Sequence, residues 1–283
     1  MLSHVFNPNA IWSQWNFDPW ETFPALIALG LYGVGLYATG IRAVSRARAA
    51  SFVTGVFLAL GVNVSPIHSA AEGMFSVHMI QHQVLMLVAA PLVVAGRPAL
   101  VMALALPHRW RQWGWGVARA RPVATALRVL KNPLAILLVF AGVLWLWHLP
   151  GPYEEAVRNN GVHALEHIAF LGISLGFWAG VMRAGPRRRI GYLPAILLVI
   201  GTLMLTGWLA AVLTFGGLVY PLYSARAALL GINAAHDAQL AGTLMWVPST
   251  LIYFGAFAGL FTRWFRELDA RYAPTPPVVV REP

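Results

Sequence analysis

The chain has 283 residues, of which 58% are hydrophobic and 11% charged, with no cysteine and a formal net charge of +10. Soluble domains carry roughly a quarter charged residues, and a core of this length could not hide so much apolar surface. Bilayer hydrocarbon can, because a span needs only about 20 apolar residues. Without thiols, disulfides, zinc–thiolate sites and thiolate copper sites are excluded.

The pattern predicts an all-α polytopic membrane helix bundle of about seven transmembrane helices. In chain order the candidate spans are 22–42, 51–67, 74–96, 133–148, 163–182, 192–215 and 239–262. The second and fourth are near the lower length limit for a span. Residues 1–21 read as an outer tail whose Trp12, Trp15 and Trp20 suit the headgroup level. The first apolar run follows Asn9, Asp18 and Glu21 with no basic region before it, so no cleavable leader is expected. The apolar run 98–107 is too short to span and ends in Pro107, which predicts an interfacial or re-entrant piece. Residues 108–131 mix Arg109, Arg111, Arg119 and Arg121 with Trp110, Trp113 and Trp115. That mixture reads as a cationic segment on anionic membrane lipid, or else as a docking surface for a partner. Residues 22–264 form the transmembrane domain, and 265–283 a tail containing Pro274, Pro276 and Pro277. No repeat or second domain is visible.

Basic residues give the orientation. With seven spans, 18 of the 20 Lys and Arg fall on one side, and only Arg158 and Arg226 on the other. The positive-inside rule makes the rich side cytoplasmic, which places the N-terminus outside and the C-terminus in the cytoplasm. The net charge is therefore a topology signal and not a nucleic-acid footprint. The expected location is a bacterial inner membrane.

The chemistry lies in the histidines. Of nine, eight fall at or near the outer face: His4, His68, His78, His82, His148, His163, His167 and His236. His108 alone is inside. Asp18, Glu21, Glu72, Glu154, Glu155, Glu166 and Asp237 follow them to the outer side. Neutral nitrogen donors beside carboxylates suit a metal cation. Two pairs stand out: His78 with His82, and His163 with His167. Residues four apart on a helix share a face, so each pair can grip one ion. Met79 and Met86 flank the first pair, as soft ligands or as packing. Glu166 lies at the edge of the second pair, where it could orient a ligand imidazole. His148, His236 and His68 join on position. Imidazole suits zinc, copper, iron and nickel, and a thioether would tilt the choice to Cu(I). No nucleophile or general acid–base constellation is present, so an enzyme is not expected.

Three segments then point to a family. They are H-M-I-Q-H-Q-V-L-M-L-V-A-A-P-L from His78 to Leu92, W-H-L-P-G-P-Y from Trp147 to Tyr153 followed by H-A-L-E-H at His163–His167 with Phe177-Trp178, and D-A-Q-L-A-G-T-L-M-W-V-P from Asp237 to Pro248. In order and spacing they resemble the multi-spanning CtaG-type cytochrome c oxidase assembly factors. The resemblance implies a role in maturing a haem–copper oxidase, through copper delivered at the outer side to an oxidase subunit. Its pattern covers His78, His82, His148, His163, His167 and Asp237, the last as a supporting carboxylate. His68 and His236 rest on position alone. Three other classes stay open: a b-type haem electron carrier, a copper transporter, and a histidine-box di-iron oxygenase. The haem carrier needs two histidines on facing helices. The transporter needs polar groups in the inner membrane half. The histidine count is small for the oxygenase.

Overall fold

The computed structural model describes residues 7, 9–39, 44–129, 132–186, 188, 190–217 and 220–272. All of the regular structure among them is helical. A one-turn helix, Ile11–Ser13, precedes α1 (Pro19–Thr39) and α2 (Arg46–Val64). A short α3 (Pro66–Gly73) leads into α4 (Phe75–Ala95). Then come α5 (Pro98–Ala105), α6 (His108–Arg119), α7 (Arg121–Val129), α8 (Pro133–Trp147), α9 (Pro150–Arg158) and α10 (Asn160–Met182). The chain closes with α11 (Tyr192–Phe215), α12 (Pro221–Leu229) and α13 (Ala234–Tyr272). Six helices are long and apolar enough to cross a membrane, and α8 with α9, joined at a 68° bend, make a seventh if taken as one span. The chain is a multi-pass membrane protein of the expected class.

The spans sit close to their expected positions, and the differences have local causes. α2 starts at Arg46, five residues early, because Ser45 caps it through the Arg48 N–H (3.4 Å) and basic residues are tolerated at the interfacial end. It stops at Val64 because Pro66 disfavours helix in the residue before it. His68, expected to end span 2, therefore lies on α3 instead. The fourth span breaks at His148–Leu149, where Pro150 has no N–H to continue the ladder. α13 is far longer than the apolar window 239–262. Its 39 residues, at about 1.5 Å each, reach beyond the ~30 Å hydrocarbon layer and carry Arg263, Arg266 and Arg271 past it. Helix thus continues to Tyr272, eight residues into the segment read as tail. Pro274, Pro276 and Pro277 lie outside the described residues, as do His4 and Lys131.

The short run 98–107 does not span: α5 folds back on α1 after Arg97, which adopts a left-handed conformation (φ 54°). The approach is close. A Cβ on Gly35 of α1 would lie 2.1 Å from the Val101 carbonyl oxygen, so only glycine fits there. Tyr32 stacks on Phe52 of α2 and donates to the Gly96 carbonyl (2.7 Å), which ties α1, α2 and the end of α4 together. The main core lies elsewhere, between α4, α8, α10, α11 and α13, around Phe75, Phe140, Phe170, Phe177 and Tyr253. α4 runs through the middle, against α2, α10 and α13. Trp110 and Trp113 of α6 are exposed, and so are Trp12, Trp15 and Trp20.

Candidate metal centre

α4 and α10 pack side by side and bring the two histidine pairs together. His78, His163, Glu166 and His167 each offer one donor atom, and these four atoms lie within 4.8 Å of one another, all on buried residues. The imidazole rings of His163 and His167 are 4.2 Å apart, and those of His78 and His163 5.1 Å. His82 joins through its Nε2, which is 2.9 Å from His78 Nε2 and 3.7 Å from Glu166 Oε1. The other carboxylate oxygen, Oε2, is 3.7 Å from His78 Nε2.

The hydrogen-bond partners assign the tautomers. Tyr223 Oη donates to the Ala71 carbonyl (2.7 Å), so it can only accept from His78 Nδ1–H (2.8 Å). Burial raises the Tyr223 pKa and keeps the phenol neutral for that double role. His78 Nε2 is thereby left as a lone pair facing the cluster. His167 Nδ1–H donates to Glu21 Oε1 (3.0 Å), which frees His167 Nε2 in the same way. His148 donates Nδ1–H to the Leu144 carbonyl (2.7 Å), and its ring lies 6.2 Å from that of His82. The Nε2 atoms of His148, His163 and His167 and both oxygens of Glu166 are buried without a hydrogen-bond partner. Unsatisfied buried polar atoms are costly, and an ionised carboxylate in an apolar interior costs most. Three imidazole nitrogens and two carboxylate oxygens are donor types that a cation could satisfy.

Several expectations change. Glu166 does not orient a histidine from the edge; both its oxygens face the Nε2 side of the cluster, because it lies between His163 and His167 on a helix turned toward α4. The orienting carboxylate is Glu21 of α1, and Tyr223 of α12 does the same for His78. Neither stood out in the sequence, since each is 145 or more residues from its partner. Asp237 supports no imidazole. Its carboxylate accepts from Phe75 N–H (2.7 Å), Ser76 N–H (3.3 Å) and Ser76 Oγ–H, and so caps α4 from another helix. His236, next along α13, points about 100° away from it, is exposed, and stays outside the group. Met79 and Met86 are packed in the apolar core. A π turn at Val84–Ala89 widens the helix and takes Met86 off the straight stripe below His82. The donors gathered here are therefore nitrogen and oxygen. His68 is adjacent, its ring stacked on His163 at 5.0 Å.

The fold and site together define a multi-pass membrane protein with a buried histidine–carboxylate cluster at the end of the bundle opposite most of its arginines. Residues 30–267 match the profile of the cytochrome c oxidase caa3 assembly factor (CtaG) family, and the chain belongs to that family. It is similar to an uncharacterised protein of Mycobacterium leprae, 24% identical over 94% of this chain, and to one of Mycobacterium bovis, 26% identical over 92%. The chain covers 42% and 40% of those two relatives, so it spans about two-fifths of their length. No solved structure matches it.

Proposed function

We propose that the protein binds copper at His78, His163, His167 and Glu166, assisted by His82, and passes it to a haem–copper oxidase subunit during assembly. The observation that carries this reading is the convergence of four donors on buried residues, with His163 Nε2, His167 Nε2 and both Glu166 oxygens lacking a hydrogen-bond partner and two of the imidazoles held from behind by Glu21 and Tyr223. Three imidazoles and a carboxylate suit Cu(II) or Zn(II), and Cu(II) stands above Zn(II) in the affinity order for such donors. The copper is cargo: ligands without thiolate hold it strongly enough to select it and loosely enough to exchange it. Rings packed 4.2–5.1 Å apart leave no slot for a porphyrin, which weighs against the haem carrier. The core beyond the cluster is mainly apolar, with Phe140, Phe177, Leu87 and Val94, and its buried polar groups among the described residues are hydroxyls such as Ser174, Thr202 and Thr206 with no further imidazole or carboxylate, which weighs against the transporter. With the N-terminus outside, the cluster faces the exterior side of an inner membrane, where an oxidase copper site would be filled.

Metal analysis of the purified chain tests this. Wild type should carry copper, and both His78→Ala/His82→Ala and His163→Ala/His167→Ala should lose it. A deletion strain should make oxidase that retains haem but lacks copper, and the double variants should not restore it. Fully metallated oxidase in the deletion strain would refute the role.

A further inference from the structure

The cluster is buried, so a cation must reach it by some route. A narrow polar crevice, too tight for a water molecule in this conformation, lies between the surface and the cluster, lined by Asn16, Asp18, Glu21, His68, Asn160 and His163. Its floor is the His68–His163 stack, and His163 is itself one of the four clustered residues. Its rim is the stretch of chain entering α1. That stretch is anchored by Asn16 N–H on the Val64 carbonyl (2.9 Å) and by Ser69 Oγ–H on the Gln14 carbonyl (3.4 Å).

We propose that this crevice, its side chains parting as the ion enters, is the loading path for a divalent cation, with Asp18 as the first docking carboxylate, Glu21 as the second and His163 as the handover into the centre. The inference rests on the metal-binding reading above and adds the route. Exposure falls along it: Asp18 is partly buried, the Glu21 side chain is 8% exposed and His163 is 7% exposed. Two donors on the way are buried and unpartnered, Glu21 Oε2 and His163 Nε2. Glu21 is suited to a relay because its other oxygen already holds His167, so an ion leaving Glu21 Oε2 is beside the next ligand. The ligand chemistry grades in the same sense. Isolated carboxylates hold a borderline cation weakly and release it fast, and clustered imidazoles hold it more tightly, so the ion moves inward downhill. No Arg or Lys lines the crevice to repel it.

Asp18 can be tested without disturbing the fold. Its Oδ1 caps α1 by accepting from Trp20 N–H (2.9 Å), and asparagine is an equally good cap. The full chain, purified in detergent and stripped with a chelator, is mixed with Cu(II), quenched with excess chelator at set times and analysed for bound metal. Asp18→Asn should fill to the same final stoichiometry but roughly three- to tenfold more slowly at low salt, and Asp18→Lys more slowly still. The gap should narrow as salt rises, since an exposed charge is screened within about 10 Å at 0.1 M ionic strength. Asp269→Asn, at the opposite end of the bundle, should fill like wild type. If wild type fills but both Asp18 variants fill at its rate, the route is wrong and the centre stands. If wild type takes up neither Cu(II) nor Zn(II), the centre is wrong and the route falls with it.

Discussion

Replacing Asp237 separates a structural carboxylate from a metal-supporting one. In Asp237→Ala the N–H groups of Phe75 and Ser76 lose their acceptor at the buried start of α4. Each orphaned N–H costs about 1–3 kcal/mol, and the lost negative charge at a helix N-terminus adds about 0.3–1 kcal/mol. The sum is on the order of 2–7 kcal/mol, with a middle value of about 4 kcal/mol. At about 2–4 °C per kcal/mol for a chain of this size, Tm should fall by about 10 °C. Asp237→Asn keeps one carbonyl for one N–H and should lose about 1–2 kcal/mol. Both can be followed by intrinsic fluorescence on heating in detergent, with metal content measured on the same samples. His78 is one turn into the capped helix, so Asp237→Ala should lose copper only as α4 frays, and Asp237→Asn should keep it. An Asp237→Ala protein with unchanged Tm, or an Asp237→Asn protein that is stable yet empty, would refute the capping role and return Asp237 to the metal site.

Glu21→Gln and Tyr223→Phe each weaken the grip on an imidazole from behind, and each should lower copper affinity about 10- to 100-fold in a chelator competition with stoichiometry retained. Equal affinity in both would mean the imidazoles are held by packing alone. Glu72 lies outside the spans, and burial lifts its carboxyl pKa to about 7 despite the nearby Arg226. The folded state then binds the proton more tightly than the unfolded one, so stability should fall as pH rises from about 4.5 to about 7 and level off above. Glu72→Gln should flatten that slope in melts taken across the range, and an unchanged slope would put the dependence elsewhere. A Cβ on Gly242 of α13 would lie 2.6 Å from the Thr214 backbone nitrogen of α11, so Gly242→Ala should separate those helices and lower Tm, whereas Gly255→Ala, in open space, should not.

The amino-acid sequence alone determines what depends on local periodicity and on partition into lipid. Apolar length sets the spans, the arginine asymmetry predicts their sense, and four-residue spacing puts His78 with His82 and His163 with His167 on shared faces. It runs the second span through Pro66, where α2 in fact stops at Val64, and the 68° bend at His148 is a packing outcome. What only the tertiary structure decides is how the helices are rotated against one another, because that depends on contacts between residues far apart in the chain. Glu21 meets His167 across 146 positions, Tyr223 meets His78 across 145, and Asp237 reaches Phe75 across 162. A one-residue step on a helix turns a side chain by about 100°, and so Asp237 is buried against α4 while His236 beside it faces out. The π turn at Val84–Ala89 likewise breaks the count that would have carried Met86 under His82. Sequence spacing could nominate the histidines, but which carboxylate faces the cluster and which holds a histidine from behind was settled only when α1, α10 and α12 closed around α4.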